Sequence, residues 1–279
     1  MNTSVIKKVK NYDSTKKIVP RLKPSSVKLE RDTLYTDEDG RILLMYTNIS
    51  SWPEARDLTH ASLSTDAKKS TRTSGVKTKS SVFGYMPRNA LRYNYCRKTI
   101  STKKELKNWK LLTDFAKNKL MPFYVENFFI DTEKKMQERI LNDWKIDDTI
   151  FTTISINFNQ LIKTHTDSFN TKGSLSNVLI LKQNAEGGQL YLPEYDAYVP
   201  QDNGDLTVFR GEEILHGVCK CDLKNGFRAS LVFYQLEQLQ HCYPYLEELK
   251  TAQDWYDKSA KKRVEKRLTS KKDGQNGTT

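Results

Sequence analysis

The spacing of apolar positions changes character twice along the chain. Leu106, Trp109, Leu112, Ala116 and Leu120 recur at helical intervals up to Pro122, and Thr102 with Glu105 three residues later has the form of a capping box. An amphipathic helix is expected there. Met136, Ile140 and Leu141, behind the acidic start Asp131 and Glu133, predict a second helix ending near Trp144. Between 150 and 236 the pattern becomes short runs of β-branched and aromatic residues separated by turn chemistry. Strands are expected at 151–157, 176–182, 189–192, 196–199, 206–209, 217–221 and 227–236. Gly187-Gly188, Asp202-Asn203-Gly204 and Asn225-Gly226 punctuate them, and the last reads as a hairpin turn. Strands this short and regular imply a sandwich or barrel, for which a jelly roll is the natural candidate.

Outside this region the ordering signals weaken. Residues 1–32 are rich in Lys, Ser and Asn with little periodicity and read as an arm. Residues 62–81, dominated by Ser, Thr and Lys, read as a mobile loop, and between the two Leu43, Leu44, Met45 and Tyr46 form a short strand. Folded structure is expected from Phe83, and after Pro244 the pattern returns to helix over 246–268. The expected organisation is a basic N-terminal extension over 1–80, a domain with helical support over 81–243, and a C-terminal helix and basic tail over 244–279.

Charge sharpens this picture, because the net +12 is unevenly placed. Residues 151–257 carry 8 Lys and Arg against 14 Asp and Glu, 258–279 carry 8 against 2, and 1–150 hold an excess of 12 positive charges. Basic arms around an acidic middle are the footprint of a core delivered to a polyanion, most often nucleic acid; solvated tails would give the same count. The tail cations Lys261, Lys262, Arg263, Lys266 and Arg267 fit phosphate contact or a solvated helix end alike. No run approaches the roughly 18–20 apolar residues of a membrane span, and no apolar segment follows the basic N-terminus. The expectation is an intracellular protein (host cytoplasm if viral, or nucleus), not secreted and without a membrane partner; its oligomeric state is open, with a monomer favoured. Cys96, Cys219, Cys221 and Cys242 do not form a disulfide framework in this reading and are expected as free thiols.

The candidate chemistry lies in three segments. His165 and Asp167 are two residues apart in extended backbone, so their side chains share one side, and His216 follows 51 residues later. Two imidazoles and a carboxylate suit Fe(II), and three ligands on one octahedral face leave positions for a cosubstrate and dioxygen. Arg228, 12 residues beyond His216, shares a strand face with Ser230. A guanidinium fork and a hydroxyl there can grip the distal carboxylate of 2-oxoglutarate, although an arginine so placed can equally pair with a protein carboxylate.

These segments resemble the TET/JBP family of iron(II)- and 2-oxoglutarate-dependent DNA nucleobase dioxygenases, most of all its viral and phage members. The resemblance is carried by His165-Thr166-Asp167-Ser168, by the run from Gly187-Gly188 through Pro193-Glu194-Tyr195, by Gly204-Asp205-Leu206, by Leu215-His216-Gly217-Val218, and by Arg228-Ala229-Ser230-Leu231-Val232-Phe233-Tyr234. It implies an α+β protein with a double-stranded β-helix (jelly-roll or cupin-like) oxygenase core, flanking helices and basic extensions. It implies His165, Asp167 and His216 as iron ligands, Arg228 and Ser230 as 2-oxoglutarate ligands, and a second cosubstrate arginine for which Arg88 and Arg92 are both candidates. The implied reaction couples oxidative decarboxylation of 2-oxoglutarate with O2 to hydroxylation of a pyrimidine 5-methyl group in DNA. The same chemistry on a protein side chain or an N-alkylated base, and a non-catalytic DNA-binding module, are the rival readings.

Eight further residues carry weaker expectations. Asn157 and Asn159 can contact cosubstrate or base, or satisfy a strand end. Tyr191 and Tyr195 can line a pocket for a flipped base or pack in the core. Cys219, Cys221, His241 and Cys242 have the ligand types of a zinc cluster at a spacing unlike common zinc motifs.

Overall fold

The computed structural model describes residues 2–9, 12–13, 16–71, 77–88, 95–128, 138–158 and 161–275. The chain opens with β1 (Asn2–Val5), β2 (Val27–Lys28), β3 (Thr33–Thr36) and β4 (Ile42–Asn48), then α1 (Ala55–Ser64), β5 (Lys68–Thr71), β6 (Lys77–Pro87) and β7 (Cys96–Lys98). Two of these contradict the sequence reading. The expected arm contributes β1 and β2 to sheets, and the expected loop at 62–81 holds the end of α1 and the β5–β6 hairpin. Both are paired through main-chain hydrogen bonds, which a Lys- and Ser-rich composition does not reveal.

Helices α2 (Ile100–Lys104) and α3 (Leu106–Phe115) follow. The cap is Thr99, whose hydroxyl accepts from the Thr102 amide, so the helix start lies three residues earlier than expected and is a simple N-cap, the Thr99 amide donating instead to the Gly84 carbonyl. Pro122 does not end the helix. A π-helical turn at Ala116–Leu120 widens the ladder, with the Met121 amide donating to the Ala116 carbonyl, and α4 (Met121–Phe128) then runs through the proline. The missing Pro122 donor falls where that irregular register already interrupts the ladder. The expected helix before Trp144 lies largely outside the described residues; its end is a short 3-10 turn at Asn142–Trp144.

The core is built from β8 (Thr153–Phe158), β9 (Ile162–His165), β10 (Ser176–Gly187), β11 (Leu190–Leu192), β12 (Ala197–Val199), β13 (Asp205–Phe209), β14 (His216–Val218) and β15 (Cys221–Tyr234). The large sheet contains the order β13-β10-β15-β8, and the small sheet β12-β11-β14-β9, with β2 at its edge. Successive strands pass back and forth between the two sheets, which gives the double-stranded β-helix. Asn225-Gly226 is not a hairpin turn. It lies inside β15, where the register with β10 shifts across Gln183 and Ala185 and Asn225 takes a φ of 59°, so the dipeptide forms a bulge.

Alternation along the strands divides the large sheet into two faces. Ile154, Ile156, Phe158, Ala229, Leu231 and Phe233 join Leu112, Phe115, Ala116 and Tyr124 in the core beneath the helices. The opposite face, with Ser155, Asn157, Arg228, Ser230 and Val232, looks toward the small sheet and lines the cavity between them. Beyond β15 comes α5 (Tyr245–Gln275), longer than the expected 246–268. Cys96 and Cys242, expected as free thiols, are disulfide-bonded, which joins β7 to the segment before α5. No described helix is long and apolar enough to cross a membrane.

Candidate metal and cosubstrate site

His165 ends β9 and His216 begins β14, and the two residues pair directly across the small sheet. Asp167 lies just beyond β9, where its amide donates to the Gly211 carbonyl at 2.8 Å and its own carbonyl accepts from the Asn170 amide. Its carboxylate meets both rings, at 3.4 Å from His165 Nε2 and 3.9 Å from His216 Nε2. One donor atom from each of the three lies within 4.8 Å of the others.

The rings are oriented for coordination. His165 Nδ1 lies 2.9 Å from the Lys163 carbonyl and His216 Nδ1 lies 2.8 Å from the Ile214 carbonyl. A carbonyl can only accept, so each Nδ1 carries the proton and each Nε2 presents its lone pair to the aspartate side. Burial, with Phe209 edge-on at 4.9 Å, lowers the pKa of His216 to about 4, against the opposing pull of Asp167, and keeps the ring neutral. Two imidazoles and a carboxylate fit an iron(II) ion.

The triad opens onto a cavity of about 390 Å³, whose wall also contains Asn157, Gln201, Arg228 and Ser230. This volume lies at the small end of ligand sites. Arg228 is only 1% exposed, and burial lowers its pKa to about 10, well within the charged range at neutral pH. Its Nη2 donates to Gln201 Oε1, so Gln201 aims the guanidinium. Ser230 and Asn157 pair across β15 and β8, and the Ser155 hydroxyl donates to the Asn157 amide oxygen at 3.2 Å. Gln201 itself holds a left-handed φ of 58°. Gly188, at φ 75°, passes so close that a Cβ there would stand 2.7 Å from both Cδ and Nε of Arg228. Gly187-Gly188 therefore has a steric reason as well as a turn-forming one. Gln201 was not legible in the sequence, because only the fold brings the residue after Pro200 over β15.

Several expected site residues lie elsewhere. The Arg88 guanidinium stacks over Trp255 of α5 at 5.3 Å and is absent from the cavity wall. Tyr191 is buried, with its hydroxyl donating to Asp196 at 2.8 Å, and Tyr195 packs in the core under the small sheet. Neither is part of the cavity wall. Arg92 and Asn159 lie outside the described residues. The proposed zinc quartet is not assembled: Cys242 is bonded to Cys96, while Cys219 and Cys221 flank the β14–β15 connection. Among the described residues, the other convergent group of ligand types is Cys96, Cys242 and Glu248, whose carboxylate is taken up by the amides of Cys96 and Tyr243.

Comparison with known proteins places this geometry. The family model for the TET/JBP oxygenase domain of the 2OGFeDO superfamily matches residues 81–237, more than half of the chain. No curated protein matches by sequence. Among solved structures, NgTET1 in complex with 5mC DNA is similar at 15% identity and a TM-score of 0.63, covering 91% of this chain and 90% of its own. A 2OG-Fe(II) oxygenase family oxidoreductase from Burkholderia pseudomallei is similar at 12% identity and a TM-score of 0.50, covering 69% and 85%. At such identities the likeness is one of fold, whereas the family match spans both histidines, the aspartate and Arg228. The chain belongs to the TET/JBP family of the 2OGFeDO superfamily and is a dioxygenase dependent on iron(II), 2-oxoglutarate and O2.

Proposed function

We propose that this dioxygenase acts on DNA and hydroxylates the 5-methyl group of a pyrimidine, thymine or 5-methylcytosine. In this reading His165, Asp167 and His216 hold iron(II), and Arg228 with Ser230 receives the distal carboxylate of 2-oxoglutarate, with Asn157 beside it. The carrying observation is that one cavity contains both the three-ligand group and the buried arginine. When bound, iron and 2-oxoglutarate supply oxidative decarboxylation to succinate coupled to hydroxylation of a C–H bond. The chain's own part is positional. Gln201 and Gly188 fix Arg228, the carbonyls of Lys163 and Ile214 fix the imidazoles, and Val178, Leu190, Phe209 and Val218 provide an apolar wall that excludes water.

DNA as the substrate is supported by the basic flanks, by Lys17 and Lys163 in the cavity wall, and by the fold shared with a protein solved on 5mC DNA. A methyl group inside a duplex cannot reach a metal held between two sheets, so the nucleotide must be extruded, and weakly paired or single-stranded sites should react at least as fast as paired ones. The test is nucleoside mass spectrometry of methylated and unmethylated DNA after incubation with iron, ascorbate and 2-oxoglutarate. A 5-hydroxymethyl pyrimidine formed with one succinate per oxidation is expected. Succinate release stimulated by a peptide or an N-methylated base, and not by DNA carrying thymine and 5-methylcytosine, would overturn the proposal.

A further inference from the structure

The N-terminal segment crosses the two strands that carry the histidines. The Thr164 amide donates to the Ile18 carbonyl at 2.9 Å, the Ile18 amide donates to Thr164 Oγ1 at 3.0 Å, and that hydroxyl donates to the Lys16 carbonyl at 3.3 Å. Thr164 is completely buried and immediately precedes His165. Two residues beyond Ile18, buried Pro20 lies over Gly217, the neighbour of His216, where a Cβ would stand 2.6 Å from Pro20 Cγ. Residues 16–20 therefore form a strap fastened beside both histidine ligands, fitted to a glycine that leaves it room.

This strap delivers one side chain to the cavity. Lys17 sits between the anchored carbonyl of Lys16 and the anchored amide of Ile18 and forms part of the cavity wall, together with Lys163 of β9. Lys17 is exposed, His165 and Asp167 are about a quarter exposed, and Arg228 is buried, so the lysines mark the open side and the arginine the closed end. Among the described residues neither lysine ammonium forms an ion pair. The acid in the cavity wall, Asp167, belongs to the ligand group. Two cations at the open side that pair with no described carboxylate suit an incoming anion, and a compact ammonium on a flexible stem suits a phosphate.

We propose that Lys17, held in place by the strap and assisted by Lys163, binds a backbone phosphate of the nucleotide whose base enters the cavity, and so acts as a substrate-positioning residue. This rests on DNA being the substrate. The recognised chemistry is a phosphodiester at the cavity mouth, independent of base identity.

The experiment compares wild type with Lys17→Ala, Lys17→Glu and Lys17→Arg in the full-length, iron-loaded enzyme, using a short single-stranded oligonucleotide containing 5-methylcytosine and thymine. Lys17→Ala should raise KM for the oligonucleotide about tenfold while kcat changes by less than about twofold. Lys17→Glu should raise KM further, and Lys17→Arg should restore it. The slope of log KM against log salt should become shallower by about 0.7 in Lys17→Ala, the contribution of one phosphate contact on a single strand. Oxidation of the oligonucleotide by wild type with KM and salt slope unchanged in Lys17→Ala and Lys17→Glu would overturn the strap's role and leave the substrate reading standing. Failure of wild type to oxidise any DNA, with turnover on a peptide or N-methylated base, would overturn both.

Discussion

Gly188→Ala isolates the cosubstrate end of the cavity without touching the metal ligands. The new Cβ would stand 2.7 Å from Cδ and Nε of Arg228, whereas ordinary contact begins at 3.4 Å, so the side chain must recede by about 0.7 Å. The backbone cannot easily yield instead, because the Gly188 amide donates to the Lys220 carbonyl at 3.0 Å. The φ of 75° adds about 1–2 kcal/mol of strain for any residue with a Cβ, a cost that appears in stability. Movement of a guanidinium away from a carboxylate forfeits roughly one charge-assisted hydrogen bond, about 1.5–3 kcal/mol. At about 1.4 kcal/mol per decade, KM for 2-oxoglutarate should rise about 10- to 100-fold. The assay is succinate release at varied 2-oxoglutarate with iron content measured in parallel; iron content should match wild type. Arg228→Lys, which shortens the side chain and removes the fork, should give a comparable rise and should not add to it in the double variant. A Gly188→Ala enzyme with reduced melting temperature but wild-type KM for 2-oxoglutarate would refute the link between Gly188, Arg228 and the cosubstrate.

Asp167→Ala should lose iron and turnover while its melting temperature stays near wild type, and unchanged succinate production would remove it from the ligand set. Burial raises the Glu212 carboxyl to about 7, and its Oε2 is buried without a hydrogen-bond partner while Gly173 donates to Oε1. A raised carboxyl pKa means the folded state holds the proton more tightly, so this stability is complete below about pH 4.5 and lost as pH rises through 7. Glu212→Gln should therefore raise the melting temperature at pH 8 more than at pH 4.5, and an equal shift at both would refute the assignment. Cys242→Ser opens a cross-link spanning 146 residues and should cost roughly 2–4 kcal/mol in denaturant unfolding, an effect that reducing agent should reproduce in wild type and not in the variant.

How much was legible follows from where each signal resides. Arg228 and Ser230 share a face because extended backbone has a period of two, and the spacing of His165 and Asp167 gives the same cue; His216, 51 residues away on another strand, was identified by its motif in the family resemblance and not by spacing. Ser230 lies opposite Asn157 for the same reason. Residues whose placement depends on which strands become neighbours were not readable. Tyr191 turns its hydroxyl to Asp196, Tyr195 sits in a 3-10 turn inside an apolar cluster, and Arg88 is drawn away by Trp255, 167 positions later. Asn225-Gly226 has the local chemistry of a turn, but pairing with β10 on both sides makes it a bulge. The Cys96–Cys242 pairing depends on β7 meeting the end of the barrel, which no spacing rule encodes.

The N-terminal residues pose the same problem in its strongest form, and they also explain how so small a sheet can hold a metal site. β11, β12 and β14 are three residues long and β9 is four, too short to be stable alone. Both edges of that sheet are covered by the first 30 residues. At β12, β2 adds a parallel strand, with the Val27 amide on the Asp196 carbonyl and the Leu29 amide on the Tyr198 carbonyl. At β9, residues 16–18 take up the edge through Thr164. Side chains reinforce this pinning: Lys23, Ser25 and Ser26 meet the Asp196 carboxylate, and Lys8 meets Glu194. Covering an edge in this way satisfies main-chain groups with almost any side chain, so the segment needs no hydrophobic periodicity and carries none. A lysine-rich composition that looks like a detached arm is therefore compatible with a structural role at the two strands that present the histidines.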